Sequence, residues 1–315
     1  MLEVSMLEVL RAGPLTTVQD LGRPGFAHLG VPRSGALDQP ALRSANALVG
    51  NNFAAADDSG TAGGSGAVGD FGTVGGSGAS GAAGLEITLT GCRLRFTAPA
   101  VVAVTGALAP VRLDDVEVPF GAPVEVPAGV TVHIGRTVRG VRTYLAVAGG
   151  IDVPPVLGSR STDTLSGIGP QPLRDKDILP IGSVVGEPST VDLPEYPADP
   201  STVELRLRAG PRDDWVTSGV CGVAYTLSQL SNRVGARLAG PALTRAVAGE
   251  LPSEGLVCGA VQVPADGQPL VFLADHPTTG GYPVIGVVHP ADLPALAQAR
   301  PGATVIFHGP ERGSR

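Results

Sequence analysis

The chain lacks several features that mark secreted, metal-binding or membrane proteins. Its cysteines, Cys92, Cys221 and Cys258, lie far apart and form no CxxC pair, so neither a disulfide framework nor a metal site is indicated. No apolar run approaches the roughly 18 residues of a membrane-spanning helix, and the N-terminus has no basic segment followed by a long apolar one. These absences predict a cytoplasmic protein that binds no metal.

Runs of basic residues and aromatic side chains are also scarce. The net charge is −7 over 315 residues and no run of Lys or Arg occurs. This argues against nucleic acid or a membrane as the partner and favours a small molecule or another protein. Aromatic residues make up 4% of the chain, whereas there are 45 glycines and 29 prolines. Such a composition favours many short strands over long helices.

Short apolar segments divided by Gly, Pro or Asp fill most of the chain. Those between 85 and 150 predict an antiparallel barrel or sandwich, and VELRLRAGP, at 203–211, begins a second β unit. The Pro- and Ser-rich stretch 183–201 joins the two units. We therefore expect an N-terminal domain at 1–190 and a C-terminal domain at 191–315.

Two segments have helical spacing. Residues 40–50 place apolar side chains on one face, with Asp38 as the expected N-cap and Asn51 as the residue that ends the helix. Residues 291–298 form the second predicted helix, with Asp292 near its start. The fold expected from the pattern is thus mainly β with a few short helices.

A stretch of small residues, 57–84, interrupts the first unit. It holds 11 of the 45 glycines, and only Val68, Phe71 and Val74 in it are large and apolar. Such a segment cannot bury enough apolar area to offset its ordering entropy. We therefore expect a disordered Gly/Ser/Ala-rich loop inserted into the first domain.

Six motifs carry a resemblance to a known family. They are QDLGRPG (19–25), PRSGALD (32–38), LGSRST (157–162), SNRVGARL (231–238), QVPADGQP (262–269) and DHPTTGGYP (275–283). In this order the chain resembles the family called allophanate hydrolase subunit 2, or biotin-dependent carboxyltransferase. The best-defined bacterial member of that family is one subunit, designated C, of the ATP-dependent 5-oxoprolinase. The resemblance covers nearly the whole chain except the 57–84 insertion.

The resemblance implies a fold and an assembly. Members have two tandem cyclophilin-like β-barrel domains and work beside a subunit-B-like protein, similar to allophanate hydrolase subunit 1. With a third, lactam-binding subunit, the 5-oxoprolinase opens the lactam of 5-oxoproline to L-glutamate and consumes ATP. The implied function is therefore that of one subunit of a lactam hydrolase, expected to be inactive alone.

Two other functions stay open within the family. Relatives in urea carboxylase carry a carboxyl group from biotin to urea or a similar amide, which would make biotin the cofactor. Another relative is a regulatory binding partner that antagonises a kinase inhibitor. No GxxxxGK[ST] motif occurs, so ATP is expected to bind with or through a partner subunit. His276 has no acid or nucleophile at motif spacing, and we interpret it as a surface loop histidine.

Lactam opening needs hydrogen-bond donors around a carboxylate and a developing oxyanion, and an acid that orients an amide proton. The resemblance and this chemistry together suggest Asp275, Asp20 and Arg23 as catalytic residues. The predicted substrate-binding residues come from the same motifs and the first helix: Arg33, Ser34, Asn46, Gln262, Thr278, Gly280, Gly281 and Tyr282.

The stretch ADHPTTGGYP, at 274–283, is expected to form one wall of the ligand groove, with the QDLGRPG and PRSGALD loops opposite. Gly280 and Gly281 would bring backbone N–H groups to an anion. Asp275 would orient an amide proton or a facing arginine such as Arg23. Asp275→Asn would then leave folding intact and lower activity by roughly 100-fold. The alternative is a plain loop turned by the two glycines.

Structural alternatives also stay open for single residues. Asp20 is equally suited to capping its own turn, and Ser34 and Asp38 are suited to capping the helix that follows. Asn232 stands where members of the family usually carry an aspartate. We therefore expect Arg233 to be held more weakly here, or by backbone carbonyls.

The insertion yields a testable expectation. Replacing residues 57–84 with a short Gly-Ser turn should leave the melting temperature within a few degrees of the wild-type value, because long loops cost little more to close than short ones. Calorimetry of the shortened chain checks this. Loss of soluble protein on replacement would contradict it.

Overall fold

The structure is a computed structural model that describes residues 5–51, 81–184, 186–193, 201–247, 249 and 251–309. No helix within these ranges is long and apolar enough to cross a membrane. The strands of the first half are β1 (Met6–Arg11), β2 (Thr16–Gln19), β3 (Gly84–Thr88), β4 (Cys92–Phe96), β5 (Ala100–Gly106), β6 (Val111–Leu113), β7 (Val116–Val118), β8 (Val124–Val126), β9 (Thr131–Ile134), β10 (Arg142–Val147) and β11 (Ile178–Pro180). Those of the second half are β12 (Thr202–Ala209), β13 (Ala224–Leu227), β14 (Gly235–Ala239), β15 (Glu254–Gly255), β16 (Ala260–Gln262), β17 (Leu270–Phe272), β18 (Thr279–Gly280), β19 (Val284–Val288) and β20 (Thr304–His308). The α-helices are α1 (Gln39–Leu48) and α2 (Leu293–Gln298).

The first half consists of two antiparallel sheets that share one core. The six-stranded sheet has the order β11-β1-β4-β9-β6-β7 and the five-stranded sheet the order β2-β3-β10-β5-β8. Leu7 and Leu94 of the first sheet pack in the same buried cluster as Leu85 and Leu145 of the second. Along the six-stranded sheet successive side chains point to opposite faces and one face is apolar, as the pattern of β4 shows. The five-stranded sheet is buried on its other face as well, where Ala103 and Ala146 pack against Ala45 and Leu48 of α1.

The second half is a closed barrel in the order β12-β19-β16-β17-β14-β13-β20. Strand β12 closes it, since Thr202 to Arg206 pair in parallel with β20 and Leu207 to Ala209 pair antiparallel with β19. Its core contains Leu205, Val261, Val305 and Phe307. The predicted fold class, mainly β with a few short helices, is confirmed. The domain boundary at 190/191, between β11 and β12, stays a prediction.

Helix α1 begins as its sequence predicts. The Asp38 carboxylate accepts a hydrogen bond from the Ala41 N–H over 3.1 Å, as an N-cap does. At the other end the Asn51 N–H donates to the Asn46 carbonyl over 2.9 Å. The predicted start is therefore confirmed, whereas the helix ends at Leu48 with Val49 as its C-cap, before Asn51.

Helix α2 is shorter than the predicted 291–298. Residues Pro290–Asp292 form a 3-10 turn before it. Asp292 makes no side-chain cap on α2 and instead forms an ion pair with Arg206 of β12 over 2.6 Å. The acid at the helix start thus ties the helix to the barrel wall.

Most of the predicted insertion, residues 57–80, lies outside the described residues. Its last residues belong to the fold, since Ala83 is buried and Gly84 opens β3 against Leu145. The replacement expected to be tolerated is therefore limited to 57–80.

Gln298, at the end of α2, joins the two halves. Its amide nitrogen donates to the Asp38 carboxylate over 2.7 Å and to the Arg142 carbonyl over 2.9 Å. Its oxygen accepts from the N–H groups of Val141 and Arg142 over 3.0 and 2.9 Å. All these partners are in the first half, so one buried side chain fastens the barrel to the five-stranded sheet.

We expect Gln298→Ala to lower the free energy of unfolding by about 3 kcal/mol, because it leaves several buried groups without partners. The matched control is Gln268→Ala, since Gln268 makes the same kind of amide contacts with Gly240 but is only half-buried. The control should cost under about 1 kcal/mol. Urea unfolding of both variants measures the difference, and equal losses would contradict the role of Gln298.

Candidate functional site

Arg233 lies where the predicted motif loops meet. Its Nε and Nη2 donate to the two oxygens of Asp275 over 2.9 and 3.0 Å, and its Nη1 donates to Glu86. Nη2 also donates to the Gly35 carbonyl over 2.7 Å. Burial opposes the charge, but Glu86 and Asp275 outweigh it and raise the pKa of Arg233. The guanidinium therefore bridges one carboxylate from each half.

Asp275 is fully buried and its carboxylate is saturated. Besides the two bonds from Arg233, its oxygens accept from the Ser34 hydroxyl over 2.7 Å and from the Thr164 N–H and hydroxyl over 2.9 and 2.7 Å. Burial alone would raise the pKa of Asp275, but Arg233 outweighs it and lowers the pKa. The carboxylate thus holds three loops together and has no lone pair left for a ligand. Its facing arginine is Arg233, not Arg23 as predicted.

Asp20 is also fully buried and links two of the motifs. One oxygen caps its own turn by accepting from the Gly22 N–H over 2.8 Å, as the structural alternative predicts. The carboxylate also accepts from the hydroxyls of Ser159 and Ser161 over 2.6 and 2.5 Å, and from the Arg160 N–H over 2.6 Å. Asp20 therefore fastens the QDLGRPG loop to the LGSRST loop.

Arg23 differs from both acids because part of its side chain has no partner. Its Nη2 donates to the Ser161 carbonyl, while its buried Nη1 makes no hydrogen bond within the described part of the chain. Two more orphaned atoms belong to the same neighbourhood, namely Oε1 of Gln19 and the hydroxyl of Thr162. Gln19 lies next to Thr162, since its Nε2 donates to the Thr162 carbonyl over 3.0 Å. Buried polar groups rarely stay unpaired, so these three atoms are available to form hydrogen bonds with water or a ligand.

Ser34 holds a strained backbone position beside this cluster. Its φ of 57° is in the left-handed region, which costs a non-glycine residue free energy. Its hydroxyl donates to Asp275 and also approaches the Thr162 carbonyl at 3.0 Å, and its N–H donates to the Ala274 carbonyl over 3.1 Å. Ser34 does not cap α1. The contacts instead connect the PRSGALD loop to both neighbouring loops.

Gly280 lies in a strand rather than in the plain loop of the alternative interpretation, and Gly281 lies in the bend that follows it. Gly280 lies in β18, which pairs with β15 opposite Glu254, and neither glycine has a positive φ. A Cβ atom at Gly280 would lie 2.8 Å from the Gln262 side chain and from Leu256. Close packing, rather than a left-handed backbone, therefore requires a glycine at 280.

The other predicted binding residues are divided between surface and interior. Arg33 and Tyr282 are exposed and Thr278 is half-buried, so these three are accessible to a ligand. Gln262 is buried and donates to the Tyr282 carbonyl over 3.1 Å, which braces the 278–282 segment.

Asn46 is fully buried and does not face a groove as predicted. Its amide nitrogen donates to the carbonyls of Leu42 and Ala82 over 3.1 and 3.2 Å, and its oxygen accepts from Asn51 over 2.8 Å. Its hydrogen-bonding groups are occupied within the first half, which is the pattern of a structural residue.

Sequence reasoning missed two residues of the cluster and misplaced a third. Glu86 on β3 accepts from Arg233 and from the Tyr144 hydroxyl over 2.8 Å, and Thr164 binds Asp275. His276 is buried rather than on the surface, and burial lowers the pKa of its imidazole. Its Nδ1 lies 2.7 Å from the Pro277 carbonyl, which can only accept, so Nδ1 carries the proton.

Asn232 does not determine how Arg233 is held. Its side-chain oxygen accepts from the N–H groups of Val234 and Gly235 over 2.9 and 3.2 Å, which closes a local turn. The expected weakening of Arg233 is therefore absent, because two other carboxylates hold it.

Fold and loops together define a two-unit β protein with a polar site where its units meet. The chain belongs to the carboxyltransferase domain family, because the model for "Carboxyltransferase domain, subdomain A and B" matches residues 77–309. It is 40% identical to the 5-oxoprolinase subunit designated C of Escherichia coli, over 96% of this chain and 90% of that protein. It is 32% identical to the protein of the same name in Haemophilus influenzae, again over 96% and 90%. It is 30% identical to urea amidolyase of Saccharomyces cerevisiae over 97% of this chain but 17% of that protein.

Two solved structures share the fold. The Kluyveromyces lactis urea amidolyase superposes with a TM-score of 0.84 at 29% identity, over 99% of this chain and 19% of that one. The crystal structure of TTHA0988 superposes with a TM-score of 0.79 at 34% identity, over 98% of this chain and 56% of that one. The chain thus corresponds to about half of one larger protein and a fifth of the other.

The contacts of Asp275 change what is expected of Asp275→Asn. The amide removes the negative charge beside a buried guanidinium, so the free energy of unfolding should fall by about 3 kcal/mol rather than stay unchanged. Glu204→Gln is the control, because the Glu204 side chain is 70% exposed and its one ionic contact in the described residues, with His308, is long at 3.7 Å. This substitution should cost under about 0.5 kcal/mol. Denaturant unfolding measures both, and an unchanged Asp275→Asn would contradict the buried bridge.

Proposed function

We propose that this chain is the C-type subunit of a multi-subunit, ATP-dependent 5-oxoprolinase, which opens 5-oxoproline to L-glutamate. The observation that carries the proposal is the 40% identity to the Escherichia coli protein over 90% of that protein's length. The assembly also contains a subunit-B-like protein and a third, lactam-binding subunit, and the isolated chain is inactive.

The roles of the predicted catalytic residues follow from their contacts. Asp20 and Asp275 are positioning residues, because their carboxylates are buried and fully hydrogen-bonded. Arg23 is the residue that acts on the substrate, since its Nη1 is a charged donor with no partner in the described residues. A guanidinium N–H in a buried site strongly stabilises a carboxylate or a developing oxyanion.

The accessible residues complete this site. Arg33, Thr278 and Tyr282 supply donors at its exposed side. No phosphate-binding loop motif is present in the sequence, so the residues of this chain do not fit an ATP site of that kind. We assign ATP to the assembly and derive no phosphoryl-transfer step from this chain.

A second function is supported by a specific observation. The family model is that of a carboxyltransferase, and the urea amidolyase fold matches 99% of this chain. A carboxyltransferase acting on urea or a similar amide would need a biotinylated carrier. It would use the same donors around an anion.

Reconstitution with defined subunits distinguishes these functions. The chain with its two partner subunits should consume 5-oxoproline only when ATP is present, and the chain alone should not. Turnover by the single chain would contradict the proposal. Urea-dependent use of carboxybiotin would support the carboxyltransferase instead, and a stable complex without turnover would support the regulatory partner.

In the active assembly we expect Arg23→Lys to lower kcat by roughly 100-fold, because the lysine keeps the charge but removes the planar donor. Arg174→Lys is the control, since Arg174 is exposed and should keep full activity. Circular dichroism should show that both variants are folded. Wild-type kcat in folded Arg23→Lys would exclude Arg23 from the chemistry.

A further inference from the structure

The outer face of the six-stranded sheet carries a row of basic residues that the proposed site does not use. Arg11 of β1 is paired with Arg93 of β4, Arg93 with His133 of β9, and His133 with Arg112 of β6. The row therefore crosses four neighbouring strands and is about 14 Å long, from the spacing of ~4.8 Å between strands.

The row faces solvent. Residues beside its members in the sequence, such as Leu94 and Val132, are fully buried in the core, so the basic side chains point to the opposite face. Arg11, Arg93 and Arg112 are exposed. Burial, and after it the positive charges of Arg93, Arg112 and Arg11, lower the pKa of His133.

An irregularity in β1 completes the row. The pairing of β1 with β4 shifts between Val9 and Arg11, so that Leu10 is the extra residue and Arg11 lies opposite Arg93. Without this bulge Leu10 would occupy the place beside Arg93. A bulge interrupts the hydrogen-bond ladder and changes which face the following side chain points to. Here the side chain moved to the outer face is that of Arg11.

The next row on the same face provides a contrast. Arg95 of β4 lies opposite Glu8 of β1, and the two form an ion pair over 2.7 Å. In the described part of the chain, no ion pair within 4 Å involves Arg11, Arg93 or Arg112. Like charges placed directly opposite on neighbouring strands destabilise a sheet. Arg11 and Arg93 are such a pair, so this contact is unfavourable for folding.

We infer that the row binds an acidic segment of a protein partner, whose carboxylates neutralise Arg11, Arg93 and Arg112. Two features favour a protein over a nucleic acid. The row is short and ends at Glu117, which lies opposite Arg112, so a long phosphate backbone would run over negative charge. Ile178, 60% exposed, extends the same face next to Glu8 and offers an apolar contact. The inference does not depend on which reaction the assembly performs.

The test uses a fluorescent hexaglutamate peptide as the defined probe, with fluorescence anisotropy at low ionic strength as the readout. The double variant Arg93→Gln/Arg112→Gln should bind the peptide about tenfold more weakly than wild type, because two charge pairs are lost. Arg95→Gln is the matched control, since Glu8 already neutralises Arg95, and it should stay within about twofold. Added salt should weaken wild-type binding.

A second readout separates binding from a structural role. Arg93→Gln should raise the melting temperature by about 1–2 °C at low ionic strength, because it relieves repulsion from Arg11. A lower melting temperature would show that Arg93 stabilises the sheet and would overturn the inference.

Three binding results would also overturn the inference. They are no binding of hexaglutamate to wild type, equal losses in the double variant and in Arg95→Gln, and tighter binding of a single-stranded DNA of equal charge. None of these results affects the 5-oxoprolinase assay, and failure of that assay leaves the peptide result intact.

Discussion

The structure depends on a buried arginine between two carboxylates. Arg233 and Asp275 come from the second half and Glu86 from the first, so the bridge crosses the junction of the two β units. A guanidinium cannot lose its proton in a protein, and burying it alone would be very costly. The three side chains therefore require each other, and their presence fixes how the barrel sits on the five-stranded sheet.

The bridge also determines where the surrounding loops lie. Asp275 takes hydrogen bonds from Ser34 and Thr164, and Asp20 fastens the preceding loop to Ser159 and Ser161. The consequence is a candidate site whose two acids are occupied by hydrogen bonds within the chain. The strained backbone of Ser34 and the unpaired Nη1 of Arg23 lie within this frame. Strain and unpaired donors are tolerated where neighbouring contacts hold them in place.

The sequence predicts the fold better than the site. The alternation of apolar and polar residues in CRLRF and the N-cap Asp38 depend on residues close together in the chain, and both predictions are confirmed by the structure. The bridge is not local, because Glu86 and Arg233 are separated by 147 positions, and a glutamate inside LEITLTG resembles any outward-facing strand residue. The sequence also cannot say why a glycine stands at 280, because glycine serves both left-handed turns and close packing, and only the structure distinguishes these uses.

A double-mutant cycle tests the central claim most directly. Glu86→Gln, Asp275→Asn and the double variant should be compared by denaturant unfolding. Glu86 and Asp275 both bind Arg233, so their effects should be coupled by about 1 kcal/mol or more. Effects that add within about 0.3–0.5 kcal/mol would mean that the two carboxylates act independently. The buried arginine would then not be the element that joins the two halves.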